Sequence, residues 1–296
     1  MTEQQPDIDP RVPPGVDPRV LDTPGTRDEL GLVRGAAGDA PDEEDKPAVP
    51  IPGLPEDSIT LGGGVVMPDG RLLTEAVVRE MNGADEEALS RVSIAANMVR
   101  FIDTLVQRCL VSVGGEELSR EQKDTMLIGD RDTVVLAIRR ATYGDKLKLE
   151  DLKCPACGYV FSVAYSLTKD VPIKQLENAQ KRVRTVALTG KHQNAEVVLI
   201  DGGTQKKVYA DDTDGLSDAE INTRMLRWCV QRIDGMPVMD TNQVREGLST
   251  VNRQRILSYL LEHQPGPRYQ EVKQACPSCE TSSPLVLGLP DLFRGE

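Results

Sequence analysis

The spacing of apolar and polar positions divides the chain into short β-like runs and helical stripes. Ile59 to Met67 reads as a strand interrupted by Gly62-Gly63-Gly64, and Pro68-Asp69-Gly70 reads as the turn that follows. From Asp85 to Leu110, apolar residues at Leu89, Val92, Ala96, Val99, Ile102, Val106 and Cys109 recur at helical spacing. Asn82 is placed to cap that helix, and Asp85, Glu86 and Glu87 suit its positive end. A second helix is predicted to start at Asp130, whose side chain can cap it, and to end near Tyr143-Gly144-Asp145. Pro172 to Leu188 is predicted as a further amphipathic helix with Pro172 in its first turn. Glu196 to Ile200 reads as a strand closed by Asp201-Gly202-Gly203. Ser217 to Glu220 reads as a capping box that opens a helix running to Ile233. Cys109 and Cys229 fall on apolar stripes and are expected to be buried core thiols.

This series repeats. Cys109, the turn Val113-Gly114-Gly115, the apolar run Leu127–Ala141 and the pair Cys154/Cys157 come first. Cys229, the turn Ile233-Asp234-Gly235, the run Leu248–Leu261 and the pair Cys276/Cys279 match them at offsets of 120 to 122 residues. A strand is expected after each pair, ending at Leu167 and Leu289. The economical reading is an internal duplication. The fold class predicted is therefore α+β, in two related halves, each with helices and a small β-hairpin bearing a zinc-ribbon-like knuckle. The halves are placed at residues 58–170 and 171–296.

Composition sets the first 57 residues apart. They carry fourteen Asp/Glu against five Lys/Arg, eleven of the twenty prolines, and Asp-Pro-Arg-Val twice, at Asp9–Val12 and Asp17–Val20. Low hydrophobicity, high charge and dense proline do not repay the entropy of ordering, so residues 1–57 are expected to be a disordered acidic arm. The paired motifs and Leu30-Gly31-Leu32-Val33 suit a strap that docks on a partner. The remainder is nearly neutral and long enough for a sizeable core. No apolar run approaches the ~20 residues needed to cross a bilayer.

The candidate chemistry lies in the cysteines. Cys154-Pro155-Ala156-Cys157-Gly158 and Cys276-Pro277-Ser278-Cys279 are two Cys-x-x-Cys knuckles, together the ligand set of a tetrahedral structural zinc site. Redox dithiols, disulfides and unligated core thiols are the alternatives. No βαβ context surrounds either pair, and no signal-peptide pattern points to an oxidising compartment. One zinc per chain is expected, held by Cys154, Cys157, Cys276 and Cys279. With four protein ligands it has no open position, so its role is structural. Glu280 stands where the first knuckle has Gly158, so the second turn is expected to be less regular.

Signatures of catalysis are sparse. His192 lies in a polar turn, and His263 ends a helix beside Pro265, where a helix C-terminus favours an imidazolium. Helix-start placement accounts for Asp130-Arg131-Asp132 more simply than acid–base chemistry does. The triple glycine has no Gly-Lys-Ser/Thr after it and is no phosphate loop. The reading is of a protein that is not an enzyme and has no small-molecule substrate. A zinc-ribbon nucleic-acid adaptor is the alternative function. The acidic balance, one Trp and three Phe argue against it, and a basic run at Lys174, Lys181, Arg182 and Arg184 speaks for it.

Met67-Pro68-Asp69-Gly70-Arg71-Leu72, Val78 to Glu87, Gly129-Asp130-Arg131-Asp132, Ala141-Thr142-Tyr143-Gly144-Asp145 and the Cys-Pro-x-Cys knuckle follow one another in a familiar order. In this the chain resembles the T-even-like baseplate hub and hub-assembly proteins of contractile-tailed phages and phage-derived injection systems, best across residues 65–167. The resemblance implies a non-enzymatic role in the tail baseplate or its assembly, with tail tube, hub or baseplate subunits as partners. It places the protein in the virion, or in the host cytoplasm during assembly. It transfers no catalytic residue.

Overall fold

The structure, a computed structural model, describes residues 56–92, 98–209, 215–284 and 292–293. The predicted arm lies outside these residues apart from Glu56 and Asp57, as does the stretch 285–291.

The first half opens with strands β1 (Glu56–Val66) and β2 (Leu72–Arg79), helices α1 (Gly83–Ser90) and α2 (Met98–Cys109), and strand β3 (Leu110–Val113). Then come α3 (Arg120–Asp124), α4 (Ile128–Tyr143), and the hairpin β4 (Lys146–Lys153) and β5 (Val160–Ser166). After the short β6 (Ile173–Lys174) the series returns: β7 (Val183–Ala187), β8 (Asn194–Val198), α5 (Gly202–Val208), α6 (Asp218–Cys229), β9 (Val230–Ile233) and β10 (Met236–Pro237). It closes with α7 (Thr241–Arg245), α8 (Thr250–Glu262), β11 (Gly266–Pro267), and the hairpin β12 (Lys273–Ala275) and β13 (Ser282–Pro284). The architecture is α+β, as the sequence predicts.

The two series match in detail. The antiparallel sheet β1-β2-β3 corresponds to β7-β8-β9 within the sheet β10-β9-β8-β7. Ala76 faces Val113 and Val78 faces Leu110, as Ala195 faces Ile233 and Val197 faces Val230, with a register shift between the paired positions each time. In each copy the helix ends on a cysteine and the next residue begins a strand, so the chain reverses without a loop. The predicted helices to Leu110 and Ile233 therefore stop at Cys109 and Cys229. Both cysteines are fully buried, and burial raises each thiol pKa to about 12. The following turns use left-handed backbone at Gly114/Gly115 and Asp234/Gly235. Short helices with capping boxes follow, Ser119 with Gln122 and Asp240 with Gln243.

One core lies between β1–β3 and helices α2 and α4, around Leu61, Ala76, Val78, Leu105, Val106 and Val134. The other lies between the second sheet and α6 and α8, around Ala195, Val197, Leu226, Val230, Ile256 and Leu260.

Three local expectations are corrected. The Asp85–Leu110 stripe forms two helices, with Asn82 capping α1 through hydrogen bonds from Ala84 N and Asp85 N. Pro172–Leu188 is not a helix: Val183-Arg184-Thr185-Val186 is β-branched at three of its four positions and pairs with β8, while Asn178 takes a left-handed conformation. The N-cap of α4 is Leu127, without a side-chain cap, and Asp130 is buried one turn further on. The Ser217 capping box is present, with Glu220 accepting from the Ser217 N–H and hydroxyl.

The halves meet along a seam of backbone contacts. Ile128 N donates to Ile200 O and Gly202 N to Met126 O, both at 3.0 Å. Gly129 abuts Pro265, and Arg131 lies under Gly202 while its guanidinium bonds Asp103 at 2.7 Å. Lys206 of α5 bridges Asp103 and Asp124, each at 2.8 Å. Asp130 accepts from Gly63 N at 2.9 Å, so the triple glycine cradles an internal carboxylate. Burial raises the Asp130 pKa to about 7, against the pull of that N–H. Asp132 is likewise raised to about 7 by burial.

The folded chain thus keeps protons on these carboxyls that the unfolded chain releases above about pH 4. Stability from this source is full below pH 4 and falls as pH rises towards 7. The variant Asp130→Asn is expected to remove roughly half of that slope, because Asp132 shares it. Urea midpoints measured between pH 4 and 8 check this, and an unchanged slope contradicts it.

Candidate metal centre

Each knuckle is the turn of a hairpin, the first between β4 and β5 and the second between β12 and β13. Their backbones match. Gly158 N donates to Cys154 O and Cys154 N to Tyr159 O, both at 2.9 Å. Glu280 N donates to Cys276 O at 2.9 Å and Cys276 N to Thr281 O at 3.0 Å. Gly158 has φ +75° and Glu280 has φ +56°, so the second turn is as regular as the first, contrary to expectation. An L residue pays about 1–2 kcal/mol in that region. Glu280→Gly is expected to raise stability by about 1 kcal/mol in chemical denaturation. A loss of stability would show that the Glu280 side chain contributes something its backbone does not reveal.

The four sulfurs predicted from sequence come together across the two hairpins. Cys154 Sγ lies 3.7 Å from Cys279 Sγ, and Cys157 Sγ lies 3.7 Å from Cys276 Sγ. All four lie within 4.8 Å of one another. Disulfides are ruled out by these distances, since an S–S bond is about 2.05 Å, and all six cysteines are free. A metal–sulfur bond of about 2.3 Å places the sulfurs of a regular tetrahedron about 3.8 Å apart. The observed spacing fits that geometry.

Cys154 and Cys276 are buried against Phe161, with Leu152 and Val163 beside them, while Cys157 and Cys279 face solvent. The Tyr165 hydroxyl donates to Gln274 Oε1 at 3.0 Å and joins the hairpins a second time. Thr281, through its hydroxyl and backbone, draws the Cys279 pKa down to about 6. The Tyr159 N–H pulls Cys157 down, but the neighbouring sulfurs outweigh it and push that thiol to about 11. Four thiols this close cannot all ionise unaided. A divalent cation in their midst removes the repulsion.

Elsewhere the singled-out residues serve structure. Both ring nitrogens of His192 meet oxygens, Asp234 Oδ2 at 2.8 Å and Gly247 O at 3.1 Å. His263 stacks on Tyr259, with ring centroids 3.8 Å apart. The basic run contributes to local bonding: Arg182 donates to Gly64 O, Arg184 to Glu177 O and Asn178 O, and Lys174 to Glu262 O.

The short motifs are also structural knots. Asp69 accepts from Arg71 N in the β1–β2 turn. Arg79 and Arg108 both bond the buried Asp85. Asp145 accepts from the Ser166 and Thr168 hydroxyls, both at 2.6 Å, and holds the end of β5.

The sequence model of the family described as T4 bacteriophage base plate protein matches residues 66–294. The chain belongs to this family. The match spans all four clustered cysteines. No curated protein and no solved structure matches the chain. As a base plate component it has protein partners in the phage tail. No helix among the described residues is long and apolar enough to cross a membrane.

Proposed function

We propose that this chain is a non-enzymatic structural component of the baseplate hub, whose two halves are fastened by one zinc ion on Cys154, Cys157, Cys276 and Cys279. The crossed sulfur pairs carry this reading, because each hairpin supplies two of four donors at tetrahedral spacing. Four-thiolate tetrahedral donor sets favour zinc among the common divalent ions. Zinc here locks the three-residue strands of the second hairpin onto the longer first hairpin. The protein then works through its surfaces, and its N-terminal segment docks on neighbouring subunits of the tube, hub or baseplate.

Elemental analysis of the purified full-length protein tests the metal. One zinc per chain is expected, lost in both Cys154→Ser and Cys276→Ser. Absence of zinc, or its loss in only one variant, overturns the shared site. Deletion of residues 1–55, which leaves β1 and the Asp57–Arg140 ion pair intact, is expected to leave the melting temperature unchanged while reducing the yield of assembled tails. Normal particle yield from the deletion removes the docking role.

A further inference from the structure

The only tryptophan of the chain stands on the outside. Trp228 lies off the buried stripe of α6 formed by Thr223, Leu226 and Cys229, and is 40% exposed. Lys207 Nζ lies 4.7 Å and Arg227 Cζ 5.5 Å from its ring centroid. Among the described residues no carboxylate pairs with either cation. Beyond α6, the β9–β10 hairpin and the turn after it present Met236 and Met239, 71% and 72% exposed. The Arg227 guanidinium donates to Met239 O at 2.8 Å and ties this turn to the tryptophan end of α6. Exposed Trp, Met and Arg together are the composition of an interface centre.

We propose that this face receives the acidic, proline-rich stretch Asp39–Leu54 of a second copy of the chain. The proposal rests on the reading that the N-terminal segment docks on neighbours, and it names the receptor. Five of the seven residues 39–45 are acidic, which complements Lys207 and Arg227 beside the tryptophan ring. Directly after them, Pro47-Ala48-Val49-Pro50-Ile51-Pro52-Gly53-Leu54 supplies apolar groups for Trp228 and the methionines. Its prolines reduce the entropy lost on docking, the basis on which aromatic surfaces hold proline-rich segments. The order of charge and apolar residues in the segment thus matches the two parts of the surface.

The stretch ends where β1 begins at Glu56, so a docked segment holds its own folded body close to the receptor copy. Such a contact is heterologous. Each copy gives a segment and receives one, and repetition yields a ring or a row of copies.

Because Trp228 is the sole tryptophan, its emission reports on the receptor directly. Acrylamide quenching of the full-length protein is measured from submicromolar to high micromolar concentration, alongside sedimentation. Trp228 is expected to become protected as the protein associates. A synthetic peptide of residues 38–55 is expected to dissociate the assemblies while keeping Trp228 protected. Trp228→Ala is expected to weaken association about tenfold or more. Lys207→Glu is expected to weaken it less and to reduce its salt dependence.

Three results overturn the proposal: quenching that is equal at all concentrations, protection in a strictly monomeric protein, or unchanged association of Trp228→Ala. Zinc content measured on the same samples separates a failed docking face from a failed metal centre.

Discussion

Cys276→Ser is expected to release the zinc and lower the melting temperature by roughly 10 °C. Small structural zinc sites contribute about 10 kcal/mol or more of gross binding free energy, and loss of one thiolate forfeits several kcal/mol of it. For a body of this size each kcal/mol moves the midpoint by about 2–4 °C. The loss should be regional. Strands β12 and β13 have only three residues each and meet the first half through Cys276, Phe161 and the Tyr165–Gln274 bond. The two sheet-and-helix cores and the seam between them do not involve the sulfurs. Hydrogen exchange should therefore speed up in residues 273–284 and 153–161 first, with α4 and α8 still protected. Cys109→Ser, buried and away from the cluster, should retain zinc. Unaltered melting of Cys276→Ser would show that the knuckles do not share a metal.

Gly129→Ala should cost about 3 kcal/mol or more. A β-carbon at Gly129 would lie 1.8 Å from Pro265 O and 2.7 Å from its carbonyl carbon. Those are backbone atoms, which a rotamer change cannot clear. The collision is reciprocal: a β-carbon at Gly266, whose φ is +103°, would lie 2.2 Å from Gly129 O. The only relief is to part the first turn of α4 from residues 265–266, and that parting runs along the seam. It also disturbs Asp130 on its glycine cradle and Arg131 beneath Gly202. Gly83→Ala is the control, because nothing lies within 4 Å of a β-carbon there. It should be neutral or slightly stabilising. Equal urea midpoints for the two variants would mean that the seam is not packed as described.

The cluster was legible because its chemistry is local twice over. Each Cys-Pro-x-Cys pair marks a turn by itself, and the repeat offset says that the two turns are equivalent. Only the crossing, 154 to 279 and 157 to 276, needed coordinates. The β7 region reads as helix in the sequence because Ile173, Leu176, Val183, Val186 and Leu188 satisfy a loose helical spacing. The pairing with β8 that decides the matter is a tertiary fact. Asp130 misled for a related reason. An aspartate near a helix start is most simply read as a cap, whereas this one faces Gly63, sixty-seven residues away. The helix ends at Cys109 and Cys229 are hidden in the sequence because Leu110 and Val230 continue the apolar stripe and equally well begin a strand. The Trp228 face leaves only a faint trace in the sequence. Thr223, Leu226 and Cys229 define the buried side of α6 and leave the tryptophan beside Arg227 on the other.

The crossed sulfur pairing has a consequence in time. At 5–20 residues per second, the 119 positions between Cys157 and Cys276 take a ribosome roughly 6 to 24 s to add. Throughout that interval the first hairpin is a bare dithiol, and a metal arriving early finds two ligands in place of four. Full coordination by all four sulfurs would wait for the second hairpin, so a metal would be held tightly only by a chain in which both knuckles have been made.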